Sequence, residues 1–250
     1  MSYKALRFRL KPFSFKHTGL FPEQATNWEW IKSVIENRIG KTEPNPTDLQ
    51  TIEGPNASVT SGSSAIKTNT VSNGTGKRVR VLNLFAYTGG ATLAASLAGA
   101  DVTHVDASKG MVTWAKENAE ASGLRDRKIR WLVDDCVKFV EREIRRGKKY
   151  EGIIMDPPSY GRGPKGEIWK MEEQIYTLLQ RAALLLSEQP LFFLLNAYST
   201  GLQPGVLAYL LKSTLPSAEK WQVDAGELGL PVSAGGLLLP SGISGRAVCL

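Results

Sequence analysis

"NLFAYTGGATLAA", Asn83–Ala95, reads as an apolar strand that runs into a glycine turn and then a helix, and "IIMDPPSYGRG", Ile153–Gly163, reads as a second buried strand ending in a stiff polar turn. A strand, a glycine turn and a helix N-terminus together present free backbone N–H groups, the usual arrangement for holding a nucleotide-like ligand. From Arg78 onward the same alternation continues through "DVTHVDAS", "MVTWAKENAEASG", "KIRWLVDD", "CVKFVEREIRRG" and "YEGIIMDPP". Short β-branched runs alternating with amphipathic runs predict a parallel sheet covered by helices on both faces. The fold class is therefore α/β, a doubly wound, mostly parallel Rossmann-like sheet. It continues through a helix "IYTLLQRAALLLSE", a buried strand "PLFFLLNAYS" and a helix "GVLAYLLKSTL", and closes on "WQVDAGEL" and "GRAVCL" as antiparallel C-terminal strands.

Three stretches organise the chain of 250 residues. Residues 1–40 form a strand and helix that pack on the core. Leu6, Phe8 and Leu10 alternate with Arg7, Arg9 and Lys11, which describes a strand with one apolar and one cationic face. Trp28, Ile31, Val34 and Ile35 follow at helical spacing, stopped by Gly40. Residues 41–77 are rich in Thr, Ser, Asn, Gly and Pro, and read as a flexible insertion with too few large apolar residues to order itself. Residues 78–250 form the doubly wound domain. The basic N-terminus lacks an apolar span long enough for a signal or a membrane helix, although a transit peptide is a second reading of it.

A formal charge of +7 suits a polyanionic partner, since clustered Lys and Arg release phosphate counterions on binding. The two cysteines, Cys136 and Cys249, supply neither a disulfide framework nor a zinc spacing, which suits a reducing cytoplasm. His17 and His104 lack metal spacing and read as packing or hydrogen-bonding residues, so no metal is expected. Arg142, Arg145, Arg146, Lys148 and Lys149 read as the solvated face of a helix whose apolar side is Val137, Val140 and Ile144.

In a doubly wound sheet the ligand sits outside the carboxyl ends of the strands. Three segments should meet there: the turn Tyr87-Thr88-Gly89-Gly90, Asp106 in "VTHVDAS", and Asp134-Asp135 in "WLVDDC". Asp106 can accept both hydroxyls of a ribose, or can serve as a charge at a helix N-terminus. Asp134 and Asp135 can bind a ligand or cap the helix that follows. A nicotinamide dinucleotide would want G-x-G-x-x-G, which "FAYTGGAT" does not supply. A cofactor without phosphates, S-adenosylmethionine (SAM), needs fewer glycines.

"VLNLFAYTGG", "HVDASKGMVTWAKENAEASGL", "DDCVKFV" and "DPPSYGRGPKGEIWK" resemble the motifs of class I SAM-dependent methyltransferases, in the branch that contains the bacterial large-subunit ribosomal RNA methyltransferases I and K. "HTGLFPEQATNW" is similar to the segment preceding the catalytic core there. The resemblance implies that Phe85, Ala86, Tyr87, Thr88 and Gly89 form the SAM loop and that Asp106, Ala107 and Ser108 lie at the ribose. It also implies that Asp135 contacts the adenine amino group, with Asp134 and Cys136 beside it in the cofactor site. Asp156, Pro157, Pro158 and Tyr160 would then face the methyl acceptor, which the resemblance implies is RNA, ribosomal RNA in particular. The chain departs from the class at Asn83, where an acid is frequent, and shows no PUA-type RNA-binding extension, so RNA capture would fall on the core itself.

Asp156 and the Pro157 carbonyl can accept hydrogen bonds from an exocyclic amine or ring N–H, while Tyr160 can stack on a flipped base. Arg162 and Lys165 are candidate phosphate contacts, because RNA entering the site must pass them. Cytosine C5 would require a thiolate. The segment that carries it in 5-methylcytosine enzymes reads "FLLNAYSTG", with Asn196 and Tyr198 and no cysteine. These residues point to a nitrogen acceptor. The rival readings are a methyltransferase for a protein or small molecule, an NAD-dependent oxidoreductase, and a non-catalytic RNA-binding module.

Overall fold

A computed structural model of the chain describes residues 1–11, 18–40, 78–162, 168–199 and 201–250. The expected insertion at 41–77, His17 and Lys165 lie outside them, as does the side chain of Arg162. Five strands, β3 (Arg80–Leu84), β4 (Asp101–Asp106), β5 (Ile129–Val133), β6 (Gly152–Met155) and β9 (Phe192–Ala197), form the parallel part of a seven-stranded sheet. The spatial order is β5-β4-β3-β6-β9, followed by the antiparallel strands β11 (Leu238–Cys249) and β10 (Trp221–Pro231). The doubly wound reading of the sequence is what this order describes.

Period-two alternation makes the central strands apolar on both faces. On β3 Val81 packs in the layer of α1 (Ala25–Ile39) and α2 (Gly90–Leu97), while Leu82 and Leu84 pack under α4 (Cys136–Arg145), α5 (Met171–Ala183) and α6 (Pro204–Thr214). Ile154 against Ile153 and Met155 on β6 repeats the split, as does Phe192 and Leu194 against Phe193 and Leu195 on β9. Each such side chain withdrawn from water stabilises the fold by about 1.5–3 kcal/mol. α3 (Lys109–Ala121) continues the first layer, where its Ala119 joins Leu6, Phe8, Trp28 and Leu93.

Local expectations are adjusted in four places. The N-terminal strand is only a two-residue ladder of β1 (Ser2–Tyr3) on β2 (Leu6–Arg7); Leu6 and Phe8 are buried, but Leu10 is exposed because the chain has left the sheet by then. On α4, Phe139 and Cys136 face the core with Val140, whereas Val137 turns outward. The C-terminal strands are longer than their apolar cores suggested. Their ladder runs from Trp221↔Cys249 to Pro231↔Leu238 past a register shift at Leu228/Gly229, so Gly and Pro at 229–240 lie within a hairpin rather than a loop. Finally, a small hairpin, β7 (Tyr160–Arg162) paired with β8 (Ile168–Lys170), follows the DPPS turn directly. Among the described residues no helix is long and apolar enough to cross a membrane.

Candidate active site

β3 connects outward through β4 to β5, whereas β6 connects the other way to β9, so the chain reverses direction between β3 and β6. A crevice opens at the carboxyl ends of two strands that diverge in this way. Here it is a cavity of about 820 Å³. The loop after β3, the acids after β4 and β5 and the turn after β6 all line it.

The loop Phe85–Gly89 is wound tightly. Phe85 (φ 56°), Tyr87 (φ 48°) and Gly89 (φ 91°) are left-handed, and the two non-glycine residues each cost about 1–3 kcal/mol unless their surroundings hold them. Those surroundings are explicit. The Phe85 N–H donates to Cys136 Sγ (3.2 Å), Ala86 to the Val105 carbonyl (3.1 Å), Tyr87 to Asp106 Oδ2 (2.8 Å) and Gly89 to the Ala86 carbonyl (3.0 Å). The Thr88 hydroxyl donates to the Gly19 carbonyl (2.6 Å), and Asn118 Nδ2 to the Thr88 carbonyl (3.0 Å). Gly90 opens α2 because a Cβ there would stand 2.7 Å from the buried Trp28 indole. Gly90→Ala is expected to lower stability by about 1–3 kcal/mol through overpacking, read from the denaturation midpoint at constant m-value.

Asp106 accepts one N–H on each oxygen, from Tyr87 and from Ser108 (2.8 Å), and burial raises its pKa. Each carboxylate oxygen has about two lone-pair sites, so both retain capacity for the adjacent hydroxyls of a ribose. Ser108 also caps α3, its Oγ accepting the Met111 N–H (3.4 Å). Asp134 pairs with Arg142, and Asp135 Oδ1 caps α4 through the Lys138 N–H (2.9 Å); both acids still line the cavity. Cys136 does not. It lies behind the loop, in the core, with Sγ directed at the Phe85 N–H and the Val105 carbonyl. Gly89 likewise shapes the loop from outside the lining. Asn83 donates to Thr92 Oγ1 (2.9 Å), which bonds His104 Nδ1 (2.9 Å); burial lowers the His104 pKa to about 3, so it stays neutral.

The DPPS turn after β6 lines the cavity with Asp156, Pro157 and Pro158. Burial first, and the neighbouring Glu23 carboxyl second, raise the Asp156 pKa to about 7. The Pro158 carbonyl accepts the Trp169 indole N–H (2.7 Å), leaving the Pro157 carbonyl of the pair without a described donor. Tyr160 is placed otherwise than expected: on β7, half exposed and outside the lining, because the β7–β8 hairpin turns it away. Trp169, opposite Gly161 on that hairpin, takes the inner position and packs on Phe85 with ring centres 5.8 Å apart.

Sequence reasoning missed one wall. Leu20, Phe21, Gln24 and Trp28 line the cavity from the N-terminal segment, and Phe21 bridges Tyr87 (5.4 Å) and Tyr198 (5.6 Å), one at each end of the site. The motif "HTGLFPEQATNW" was the available signal. Gln24 Nε2 donates to Tyr198 Oη (2.8 Å), while its Oε1 accepts from Asn27 (2.8 Å) and Asn196 (3.3 Å). Asn27 also donates to Asn196 Oδ1 (3.0 Å), and its own Oδ1 accepts from Arg246 Nε (2.8 Å) and Ser244 (3.3 Å). The expected substrate residues Asn196 and Tyr198 are thus in the lining, held by a buried polar network.

The S-adenosylmethionine-dependent methyltransferase family model matches residues 66–203, which span the glycine loop, all three acids and the DPPS turn. The chain belongs to that family. The methyltransferase resembles the crystal structure of a SAM-dependent methyltransferase from Agrobacterium tumefaciens over 99% of its length and 69% of that chain, at 33% identity and a TM-score of 0.79. Among curated proteins it is similar to ribosomal RNA large subunit methyltransferase K/L of Shewanella frigidimarina, 36% identical over 113 residues that make up 44% of this chain and 16% of that protein. The protein of the same name from Shewanella sediminis is 38% identical over 108 residues, 43% of this chain and 14% of that protein. The methyltransferase thus spans no more than about a sixth of these relatives. SAM is its cofactor, and the lone pairs left on Asp106 and the apolar walls of Phe21, Phe85 and Val133 fit an adenosine. The oxidoreductase reading falls with this assignment.

Proposed function

We propose that this methyltransferase transfers the methyl group of SAM to a base nitrogen in ribosomal RNA. The observation that carries the reading is the placement of Asp156 and the Pro157 carbonyl, two acceptors, across one cavity from the glycine loop and Asp106. SAM supplies an electrophilic methyl on a sulfonium, and the chain's task is alignment in line with the leaving sulfur. Asp106 and the Phe85–Gly89 loop hold the cofactor's ribose and methionine ends. Asp134 and Asp135 stand at the adenine. Asp156 accepts an N–H of the acceptor and takes its proton; the Pro157 carbonyl fixes the second hydrogen of an amine. Neither of the chain's two thiols lines the cavity, which favours nitrogen over cytosine C5. The RNA class rests on the relatives named above and on the +7 charge.

Unmodified ribosomal RNA is expected to accept labelled methyl from SAM in the presence of the protein. Transfer only to a protein or small molecule would replace the substrate class, and binding without transfer would leave an RNA-binding module. Asp106→Ala is expected to weaken SAM binding by about 1.5–3 kcal/mol, tenfold or more, from lost charge-assisted bonds. Calorimetry on the folded variant checks it.

A further inference from the structure

Among the described residues the crevice is lined by the acids Asp106, Asp134, Asp135 and Asp156 and by no Lys or Arg. Those acids repel a polyanion, so an RNA acceptor gains from cations held elsewhere on a chain of charge +7. At the opposite pole, where the parallel strands begin, a second cavity of about 520 Å³ is lined by Arg78, Arg80, Lys128, Arg130, Lys148 and Lys149 against only two carboxylates, Asp101 and Glu143. Lys148 and Lys149, which the sequence assigned to a solvated helix face, are brought by the turn after α4 beside the first residues of β3 and β5.

The acids in and just behind this cavity orient arginines more than they cancel them. Arg80 holds Glu151 with Nε (3.1 Å) and Nη2 (2.6 Å), and Arg78 pairs with Asp101. Glu143, its side chain 1% exposed, accepts the Tyr150 hydroxyl (2.7 Å) and draws Arg130 (3.6 Å) and Arg146 (3.1 Å) to its other oxygen. The guanidiniums themselves stay about half exposed, with N–H groups to spare in fixed directions. Lys128 and Lys148 have no ion-pair partner among the described residues. A concave wall of one sign focuses its field and raises the local concentration of a polyanion.

We propose that this cavity is a second RNA-contacting site, which grips the phosphodiester backbone of the acceptor roughly 20 Å from the base being methylated, a strand's length away. It rests on the RNA reading above. Phosphate contacts here carry no base information; they set the register in which a folded RNA lies along the protein, so that one base reaches the crevice at the far pole.

The test is the Lys128→Glu, Lys148→Glu double variant, which breaks no described ion pair. Binding of an unmodified ribosomal RNA fragment is followed by fluorescence anisotropy from 50 to 300 mM salt, and SAM binding by calorimetry. The variant is expected to bind RNA about 10–100-fold more weakly at low salt, with a shallower salt dependence, while its SAM affinity stays within twofold. The Lys128→Arg, Lys148→Arg variant should bind RNA as the wild type does. RNA binding by the wild type that the charge reversal leaves unchanged would overturn the second site and leave the methylation reading standing. A wild type that binds no RNA would overturn both.

Discussion

Asp156→Asn is expected to lose turnover by about 10²–10⁴-fold while its SAM affinity stays within about threefold, because the carboxylate acts on the acceptor and its proton rather than on the cofactor. The amide keeps the shape but can neither take the proton nor present two acceptors. The pH dependence follows from the Asp156 pKa, which burial and Glu23 raise to about 7. On the proposed mechanism the ionised form is the active one, so kcat/KM of the wild type should rise with pH and level off above about 7. That limb should be missing from the residual activity of the variant. Linkage gives the stability prediction the opposite sign. A carboxyl whose folded pKa lies above its unfolded value binds protons more tightly when folded, so stability is fully present near pH 4 and declines as pH rises toward 7. Removing the charge should relieve that decline. Asp156→Asn should melt higher than the wild type at pH 8, by about 2–4 °C for each kcal/mol recovered, and show little difference at pH 4. A variant that is inactive and less stable at pH 8 would show that Asp156 is structural.

The central strands and the lining on the glycine-loop side of the cavity were legible because their signals are local. β-branched runs, the turn at Gly89 and acids at consecutive strand ends sit within a few residues of one another, and the topology of a doubly wound sheet then fixes where they meet. On the β6 side of the cavity only the DPPS turn was legible as lining. Trp169 displaces Tyr160 from the lining through a hairpin register, Gly161↔Trp169, that no apolar periodicity encodes. Phe21 is separated from Tyr87 and Tyr198, which it touches, by the 41–77 stretch and the whole of β3. Asn27 and Arg246 lie 219 positions apart and meet because β11 pairs with β9 beside α1. The cationic cavity was unreadable for the same reason: Arg78, Lys128 and Lys148 share a place only once the strand order is known.

That distant pair carries the second large prediction. Arg246 is donor-only, so its Nε–H obliges Asn27 to turn its carbonyl oxygen toward β11 and its amide nitrogen toward the cavity. The Gln24 carbonyl must then face Asn27, and the Gln24 amide must donate to Tyr198 Oη. The Tyr198 hydroxyl, having accepted that bond, turns its own proton to the carboxylates beside it, Glu23 and Asp156, and burial first, then Asp156, keeps the phenol un-ionised by raising its pKa. One guanidinium thus sets the hydrogen-bond polarity of a cavity-lining residue through two amides. Arg246→Met should strand the buried Asn27 oxygen and cost about 1–3 kcal/mol of stability. It should also lower turnover about tenfold, because the freed amides can reverse and take the Tyr198 proton for themselves. Tyr198→Phe should lower turnover by a similar factor with a smaller loss of stability. In the Tyr198→Phe background, Arg246→Met should cost the same stability but no further turnover, since the proton it orients is gone. Arg246→Lys, which remains donor-only, should recover most of the activity. Additive losses of turnover in the double variant would mean that Arg246 only braces the fold.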